Sequence, residues 1–213
     1  MIDLIEDSIL YNSDARIEIN DDSKFEPVGN NTEVALLKLL QDSDISVHHM
    51  IKRKMNRVKY SQPFSSENKY SVIAIDYWRG LYDEEGDDDC VRVFIKGAPE
   101  KIIKHCEYQF DEEGHVIKLS EDKRENIIKN TVINQFAKNR LRSIAFAYKD
   151  FTHDQWQDIL PHQLEKKERK KSLFSELKLI SIFAMEDELR GDVVQAIKLA
   201  KKGSIDVCIV SGD

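Results

Sequence analysis

The sequence predicts an α+β fold in which an antiparallel sheet is flanked by helices and a βαβ fragment follows at the C-terminal end. In the first part of the chain, segments with strand patterns are joined by short polar turns, as antiparallel meanders require. Segments with apolar residues at helical spacing alternate with these strands. Near residue 177 the strand pattern becomes almost continuously apolar, which is typical of parallel strands buried on both faces.

Composition is typical of a soluble globular domain. Charged residues make up 33% of the 213 positions and hydrophobic residues 41%. No apolar run approaches the ~20 residues that span a bilayer.

The net charge of -7 argues against a general nucleic-acid binder, but a local cluster of lysine and arginine can still hold a phosphate. The three cysteines and six histidines show no disulfide framework and no metal-ligand spacing, so no metal site is expected.

The N-terminal part contains two predicted helices separated by a loop. Residues 2–10 favour a short helix, and residues 14–28 favour an irregular acidic loop. Asn31 or Thr32 can cap a second helix that runs to about Asp42, with Glu33 in its first turn.

The next part has the pattern of an antiparallel meander. Two strands at residues 58–64 and 69–77 are joined by a turn at 65–68. Residues 83–89 carry six carboxylates, but their spacing does not fit an EF-hand calcium loop, and a solvated hairpin tip is the better interpretation. A strand at 91–96 and a helix at 99–106 follow.

The following segment continues with a hairpin at residues 108–119 that turns at 111–114. Ser120 caps a long helix to about Asn139, and a strongly apolar strand follows at 142–148. Thr152 and Gln155 form a capping box for a short helix, and residues 165–171 are a charge run on a helix face or loop.

The C-terminal part predicts a parallel βαβ unit, built from a strand at 179–184, a helix at 191–202 and a strand at 205–210. Gly203 ends the helix, whose predicted buried residues are Val193, Val194, Ile197 and Ala200. The strand pattern changes here from that of antiparallel meanders to almost continuously apolar strands, which predicts a domain boundary near residues 175–187. We expect one domain over 1–178, and a hinge with part of a second, α/β domain over 179–213.

The most informative motif is the stretch at residues 96–100, in which Lys96 lies at the end of a predicted strand. Gly97, which has no side chain, allows a backbone or a phosphate to approach closely. By residue type alone, Lys96 is more often a surface lysine, and Phe64 is more often a core phenylalanine. Glu33 alone is only a first-turn acid, and Arg142 is either a snorkelling edge residue or a phosphate ligand.

The order of several motifs resembles the nucleotide-binding domain of a P-type cation-pumping ATPase, and most closely the plasma-membrane type of calcium pump. The motifs are Gly29-Asn30-Asn31-Thr32-Glu33, Pro63-Phe64-Ser65, Lys96-Gly97-Ala98-Pro99-Glu100, Leu141-Arg142-Ser143, Glu186-Asp187-Glu188-Leu189-Arg190 and Ser211-Gly212-Asp213. The resemblance covers nearly all of the chain, as a central slice of a pump.

The resemblance implies a role for each matching residue in ATP binding. Phe64 would stack on adenine, Glu33 would accept from the adenine amine, and Arg142 would contact phosphate. Lys69 and Lys96 would line the nucleotide pocket, with Gly97 as the close-approach position.

The resemblance also implies roles for residues near the C-terminal end. Arg190 and Asp187 match a hinge segment whose arginine contacts nucleotide when domains close. Ser211 and Asp213 match a motif that lies near the transferred phosphate. In the family this motif assists and the nucleophile lies in another segment, so the resemblance implies that neither residue is the nucleophile.

The chain departs from the family pattern at several positions. Ser66 stands where reticulum-type pumps have arginine, Glu188 replaces the usual hinge proline, and Ser211 replaces threonine. The 213 residues contain neither the DKTGT segment with the phosphorylated aspartate nor the GDGxND magnesium motif. No catalytic residue is therefore expected within them.

The function implied is to hold MgATP and present its γ-phosphate to an aspartate on another segment, which drives export of a cation. The expected partners are the phosphorylation, actuator and transmembrane domains of the same pump, at the cytosolic face of a membrane. The isolated domain is expected to be a monomer.

Two alternative functions stay open. One is a soluble phosphatase of the haloacid-dehalogenase type, although its DxDxT motif does not occur. The other is a scaffold domain that binds no nucleotide.

Overall fold

The computed structural model describes residues 1–19, 25–43, 45, 57–77, 89–160, 165–186 and 191–210. The strands in this part of the chain are β1 (Arg16–Ile19), β2 (Phe25–Val28), β3 (Val58–Gln62), β4 (Tyr70–Tyr77), β5 (Cys90–Gly97), β6 (Cys106–Phe110), β7 (Val116–Lys118), β8 (Arg142–Phe151) and β9 (Leu177–Met185).

The α-helices in the same residues are α1 (Ile2–Tyr11), α2 (Asn31–Asp42), α3 (Pro99–Ile102), α4 (Glu121–Asn126), α5 (His153–Asp158), α6 (Lys166–Leu173) and α7 (Val193–Lys202). Helix α3 continues as a 3₁₀ turn over Ile103–His105. Helix α4 continues with π-helical geometry over Ile127–Phe136 and ends as a 3₁₀ turn at Ala137–Asn139. None of the helices in the described part is long and apolar enough to cross a membrane.

Seven of the strands form one sheet in the order β3-β4-β5-β8-β9-β6-β7, and β1 and β2 form a separate two-stranded ribbon. Every neighbouring pair in the large sheet is antiparallel except β6 and β9. The predicted α+β class with an antiparallel sheet flanked by helices is confirmed.

Strand β5, an interior strand between β4 and β8, is buried on both faces of the sheet. Val91, Val93 and Ile95 belong to a core that is covered by α3, the long helix that begins with α4, α5 and α6. Phe94 belongs to the core on the other face, which α1 and α2 cover. Side chains on a strand alternate between faces, so Arg92 and Lys96 lie on the face of Phe94.

Most of the predicted elements are found close to their predicted bounds. The capping box of Thr152 and Gln155 is present, and Ser120 accepts a hydrogen bond from the Lys123 N–H at the start of α4. Helix α2 is capped one residue earlier than predicted, because the Asn30 side chain accepts from the Thr32 N–H at 2.9 Å. The predicted acidic tip at residues 83–89 falls, apart from Asp89, outside the described residues.

The predicted acidic loop at residues 14–28 is wrong, because β1 and β2 form an antiparallel pair there. Arg16 opposes Val28 and Ile17 opposes Pro27 in this ribbon. Only four residues pair in each strand, which is too short for an alternating pattern to stand out in the sequence.

The predicted parallel βαβ unit is also not formed. Strand β9 lies inside the large sheet, antiparallel to β8 and parallel to β6. The domain boundary near residues 175–187 stays a prediction. Residues 205–210 are described but form no strand, and Ile209 and Val210 are each 93% exposed. A strand needs a neighbour for its backbone groups, and no described strand pairs with this segment. The predicted burial by α7 is likewise wrong, since Val194 is 51% exposed and no residue of this helix is buried.

A charged cluster is built around Arg92 at the start of β5. Its guanidinium makes a bidentate pair with Asp150 of β8, at 2.6 and 2.8 Å. It lies 3.6 Å from the centre of the Tyr77 ring and 4.7 Å from that of Tyr148. Burial raises the pKa of the nearby Asp7 carboxyl to about 6, although the charges of Arg92 and Arg57 oppose the shift.

We expect the protein to lose stability as Asp7 ionises. The folded-state pKa of Asp7 lies above its ordinary value of 3.8, so the folded state binds more protons between pH 4 and pH 6. The free energy of unfolding should therefore fall as the pH rises through this window. Asp7→Asn should remove this part of the pH dependence and raise stability at pH 7 by up to about 3 kcal/mol. Urea denaturation from pH 4 to pH 8 measures both effects.

The matched control is Asp42→Asn, which changes an exposed carboxylate at the end of α2. This variant should follow the wild-type curve. If the Asp7→Asn and wild-type curves stay parallel over the whole range, Asp7 does not carry the proton that the prediction assigns to it.

Candidate functional site

The predicted site residues that the structure describes lie at one end of the strands of the large sheet, where β5 ends and β4 and β8 begin. Gly97 at the end of β5 opposes Tyr70 of β4 on one side and Ala145 of β8 on the other. Arg142 at the start of β8 opposes Met185 at the end of β9. Antiparallel pairing thus brings together residues that lie far apart in the sequence.

Lys96 is buried, with 6% of its surface exposed. Its ammonium Nζ donates to Glu33 Oε1 at 2.5 Å and to the main-chain oxygen of Asn12. The expectation from residue type alone, a surface lysine, is wrong. A buried charge needs a partner of opposite sign, and the carboxylate of Glu33 supplies it.

Glu33 is held at both of its carboxylate oxygens. Its Oε1 accepts from Lys96, and its Oε2 accepts from the Asp14 N–H at 3.0 Å. Glu33 also lies in the first turn of α2, where the helix dipole favours a negative charge. A carboxylate has about four lone-pair positions, and contacts within the described residues use two of them, which leaves two to accept from a further donor.

Gly97 is glycine because the chain's own backbone approaches it. A Cβ at this position would lie 2.4 Å from the Lys69 carbonyl oxygen and 2.8 Å from the Tyr70 Cβ. The Lys69 oxygen also accepts from the Ala98 N–H at 3.0 Å. The close approach predicted at Gly97 is therefore made by the start of β4, and an approach by a ligand stays a prediction.

Phe64 and Lys69 lie in the turn between β3 and β4. The Lys69 N–H donates to the Ser65 oxygen at 2.8 Å, and the Asn68 amide donates to Ser65 Oγ. Lys69 adopts a left-handed backbone with φ 64°, and its side chain is exposed. Phe64 is 55% exposed, so the core-phenylalanine alternative is wrong. An apolar ring is thus held in solvent on a hydrogen-bonded turn that contacts Gly97.

Arg142 lines a cleft of about 270 Å³ between α2 and the ends of β8 and β9. Arg142 and Phe146 are four positions apart on β8, so their side chains lie on the same face of the sheet. Phe146 directly opposes Lys96 in the β5–β8 register, so Lys96 lies on this face too. The residues that line the cleft are Asn31, Thr32, Val34, Ala35, Lys38, Arg142, Met185 and Glu186. Two of them, Lys38 and Arg142, are cations.

Four of the predicted residues cannot be placed. Asp187, Arg190, Ser211 and Asp213 lie outside the described residues. Sequence reasoning also missed three residues that contact the Lys96–Glu33 pair or its supports. These are Asn12, Asp14 and Ser71, of which Asn12 and Ser71 are buried polar side chains. No motif marks them. Asn12 and Ser71 act through contacts across more than fifty residues of sequence, and Asp14 through a contact across 19.

Comparison with known proteins identifies the family. The family model for the cytoplasmic domain N of P-type ATPases matches residues 1–192, which is most of the chain. The chain belongs to this family. The predicted resemblance to P-type ATPases is confirmed.

The relatives of this P-type ATPase domain include several calcium pumps. The chain is 29% identical over 210 residues to calcium-transporting ATPase PAT1 of Dictyostelium discoideum, covering 99% of the chain and 16% of that protein. It is 30% identical to the probable plasma-membrane-type calcium-transporting ATPase 9 of Oryza sativa subsp. japonica, covering 100% and 18%. It is 28% identical to plasma membrane calcium-transporting ATPase 4 of Bos taurus, covering 87% and 14%. The chain thus spans less than a fifth of the length of these relatives.

We expect Gly97→Ala to destabilise the domain. The added methyl would meet a backbone oxygen and Tyr70, neither of which can move without shifting the start of β4. Overpacking of this kind costs about 1–3 kcal/mol. Chemical denaturation monitored by circular dichroism measures the loss.

Gly191→Ala is the matched control, because nothing lies within 4 Å of a Cβ at that position. It should change the free energy of unfolding by less than about 0.5 kcal/mol. Equal stability of the two variants would show that the β4 backbone does not pack against Gly97 as described.

Proposed function

We propose that this chain is the ATP-binding domain of a P-type calcium-transporting ATPase, and that it holds MgATP and presents the γ-phosphate to an aspartate on another segment. The observation that carries the proposal is the buried Lys96–Glu33 pair beside the turn that exposes Phe64, in a chain of the P-type N-domain family. In the whole pump the domain would lie at the cytosolic face of a membrane, and ATP hydrolysis would drive cation export.

The adenine would bind between an apolar ring and a carboxylate. The exposed ring of Phe64 can stack on a purine without first being uncovered. Glu33 has acceptor positions left for the exocyclic amine of adenine. Guanine has an oxygen in place of that amine, so a carboxylate fixed at this position favours adenine over guanine. This base preference is part of the proposal.

The triphosphate would bind to the cations at the same edge of the sheet. Lys96 has three N–H donors and uses two of them on acceptors within the described residues, so one can reach a nucleotide oxygen. Lys69 is exposed on the turn next to Gly97, and Arg142 lines the cleft beside α2. Arg142 offers a planar group that suits phosphate oxygens. Arg190, Ser211 and Asp213 would complete the phosphate end.

The two alternatives have less support. A haloacid-dehalogenase-type phosphatase requires a DxDxT nucleophile segment, and the 213 residues contain none. A scaffold domain without nucleotide has no need of an exposed phenylalanine on a turn that packs against the strand end bearing a buried lysine–glutamate pair. Calcium as the exported ion is proposed from the names of the relatives alone.

We expect the chain to bind ATP more tightly than GTP, and Phe64→Ala to weaken ATP binding. Stacking of a base on an aromatic side chain contributes about 1–3 kcal/mol. Titration with ATP, ADP and GTP, followed by amide chemical shifts in NMR, measures affinity and maps the contact. Shifts confined to residues far from Glu33, Phe64 and Lys96 would contradict the proposed pocket.

The control for Phe64→Ala is Ile133→Ala, which truncates a side chain that is 49% exposed on the long helix after α4. Both substitutions remove exposed apolar surface, so neither should unfold the domain. Only Phe64→Ala should change the affinity for ATP. An equal effect of both would assign the change to a general perturbation.

We also expect the 213-residue chain to form no acyl-phosphate with MgATP. An aspartyl-phosphate requires a nucleophilic aspartate in line with the γ-phosphate, and the segment that bears it in the family is not among these residues. Incubation with γ-labelled ATP and magnesium, followed by an acid quench, tests this. Stoichiometric label that hydroxylamine removes would contradict the proposed division of roles.

A further inference from the structure

The short segment between α1 and β1 holds both members of the Lys96–Glu33 pair. The main-chain oxygen of Asn12 accepts from Lys96 Nζ, and the Asp14 N–H donates to Glu33 Oε2 at 3.0 Å. Asn12 immediately follows α1 and is 7% exposed. A segment that contacts both partners of a buried ion pair controls where that pair lies.

The side chain of Asn12 attaches this segment to the sheet. Its Oδ1 accepts from Ser71 Oγ of β4 at 2.9 Å, and its Nδ2 lies 3.5 Å from the Phe94 oxygen of β5. Ser71 is 5% exposed and directly opposes Lys96 in the β4–β5 register. The Asn12 side-chain amide thus contacts two neighbouring strands, β4 and β5, close to the position from which the Lys96 side chain projects.

This arrangement determines the direction of the Lys96 ammonium. A lysine side chain has four rotatable bonds, and ordering it costs conformational entropy. Two fixed acceptors, Glu33 Oε1 and the Asn12 oxygen, select one position for Nζ and leave its third N–H on the remaining side. If the Asn12 oxygen moved, Lys96 would keep its charge partner but lose this alignment.

We infer that Asn12 is a positioning residue of the nucleotide site: its side chain fixes its own carbonyl, and that carbonyl aligns Lys96 for contact with nucleotide. The inference rests on the proposed function, because it concerns the same pocket. Asn12 itself contacts no nucleotide and acts through Lys96. Ser71 supports Asn12 in the same way, one step further from the ligand.

A double-mutant cycle tests this inference. Asn12→Ala should weaken ATP binding about threefold to tenfold, the amount that the loss of one aligned hydrogen bond produces. Lys96→Met, which keeps the apolar stem, should weaken binding at least as much. In the double variant Asn12→Ala/Lys96→Met, the asparagine substitution should have no further effect, because the residue it aligns is gone. Calorimetric titration with ATP, well below each melting temperature, gives the four affinities.

Variants at Ser71 and Ser8 separate alignment from stability. Ser71→Ala should weaken ATP binding in the same direction as Asn12→Ala, and Ser71→Thr, which keeps the hydroxyl, should restore it. Ser8→Ala is the control on α1, since Ser8 is buried and, within the described residues, its hydroxyl donates only to the Ile5 carbonyl of its own helix. It should change the melting temperature without changing the affinity.

The outcomes distinguish failure of the Asn12 inference from failure of the proposed ATP binding. If wild type binds ATP and Lys96→Met binds more weakly, but Asn12→Ala binds like wild type, this inference is overturned and the proposed function stands. Additive losses in the double variant would also overturn it, because Asn12 would then act independently of Lys96. If the wild-type chain binds no ATP, the proposed function fails, and this inference fails with it.

Discussion

The ion pair between Lys96 and Glu33 connects β5, an interior strand of the sheet, to the helices that cover one of its faces. Lys96 belongs to β5, Glu33 belongs to α2, and Asn12, whose main-chain oxygen accepts from the same ammonium, immediately follows α1. Removing one partner of a buried pair leaves an uncompensated charge, which makes such pairs costly to break. The position of both N-terminal helices on the sheet therefore depends on this contact as well as on the apolar core beneath them.

Strand β5 has a charged residue near each end on the same face, and the two are used differently. Arg92 is enclosed by Asp150 and the rings of Tyr77 and Tyr148, which satisfy its guanidinium inside the fold. Lys96 lies at the edge where strands end and turns begin, and its charge is balanced by one carboxylate. The first arrangement stabilises the fold, and the second leaves a donor for the proposed nucleotide.

The proposed pocket combines rigid and exposed parts. Lys96 and Glu33 are held on a strand and in the first turn of a helix, which fixes their geometry before any ligand arrives. Phe64 and Lys69 lie on a turn whose backbone is hydrogen-bonded internally and to Ala98, yet both side chains face solvent. Such a turn can present a ring and a cation to a ligand at little cost in backbone entropy.

The sequence by itself determined the family, most of the strands and helices, and the candidate residues, because local patterns and ordered motifs are readable along the chain. It could not show that Lys96 is buried against Glu33, since 63 residues separate them and only sheet pairing brings them together. It also gave no signal for Asn12 and Ser71, which are 59 residues apart. The apolar pattern of β9 was visible, but an apolar strand can be buried in either a parallel or an antiparallel sheet. Only the tertiary structure decided that β9 lies between β8 and β6, because hydrogen-bonding partners, and not the strand's own residues, set its direction.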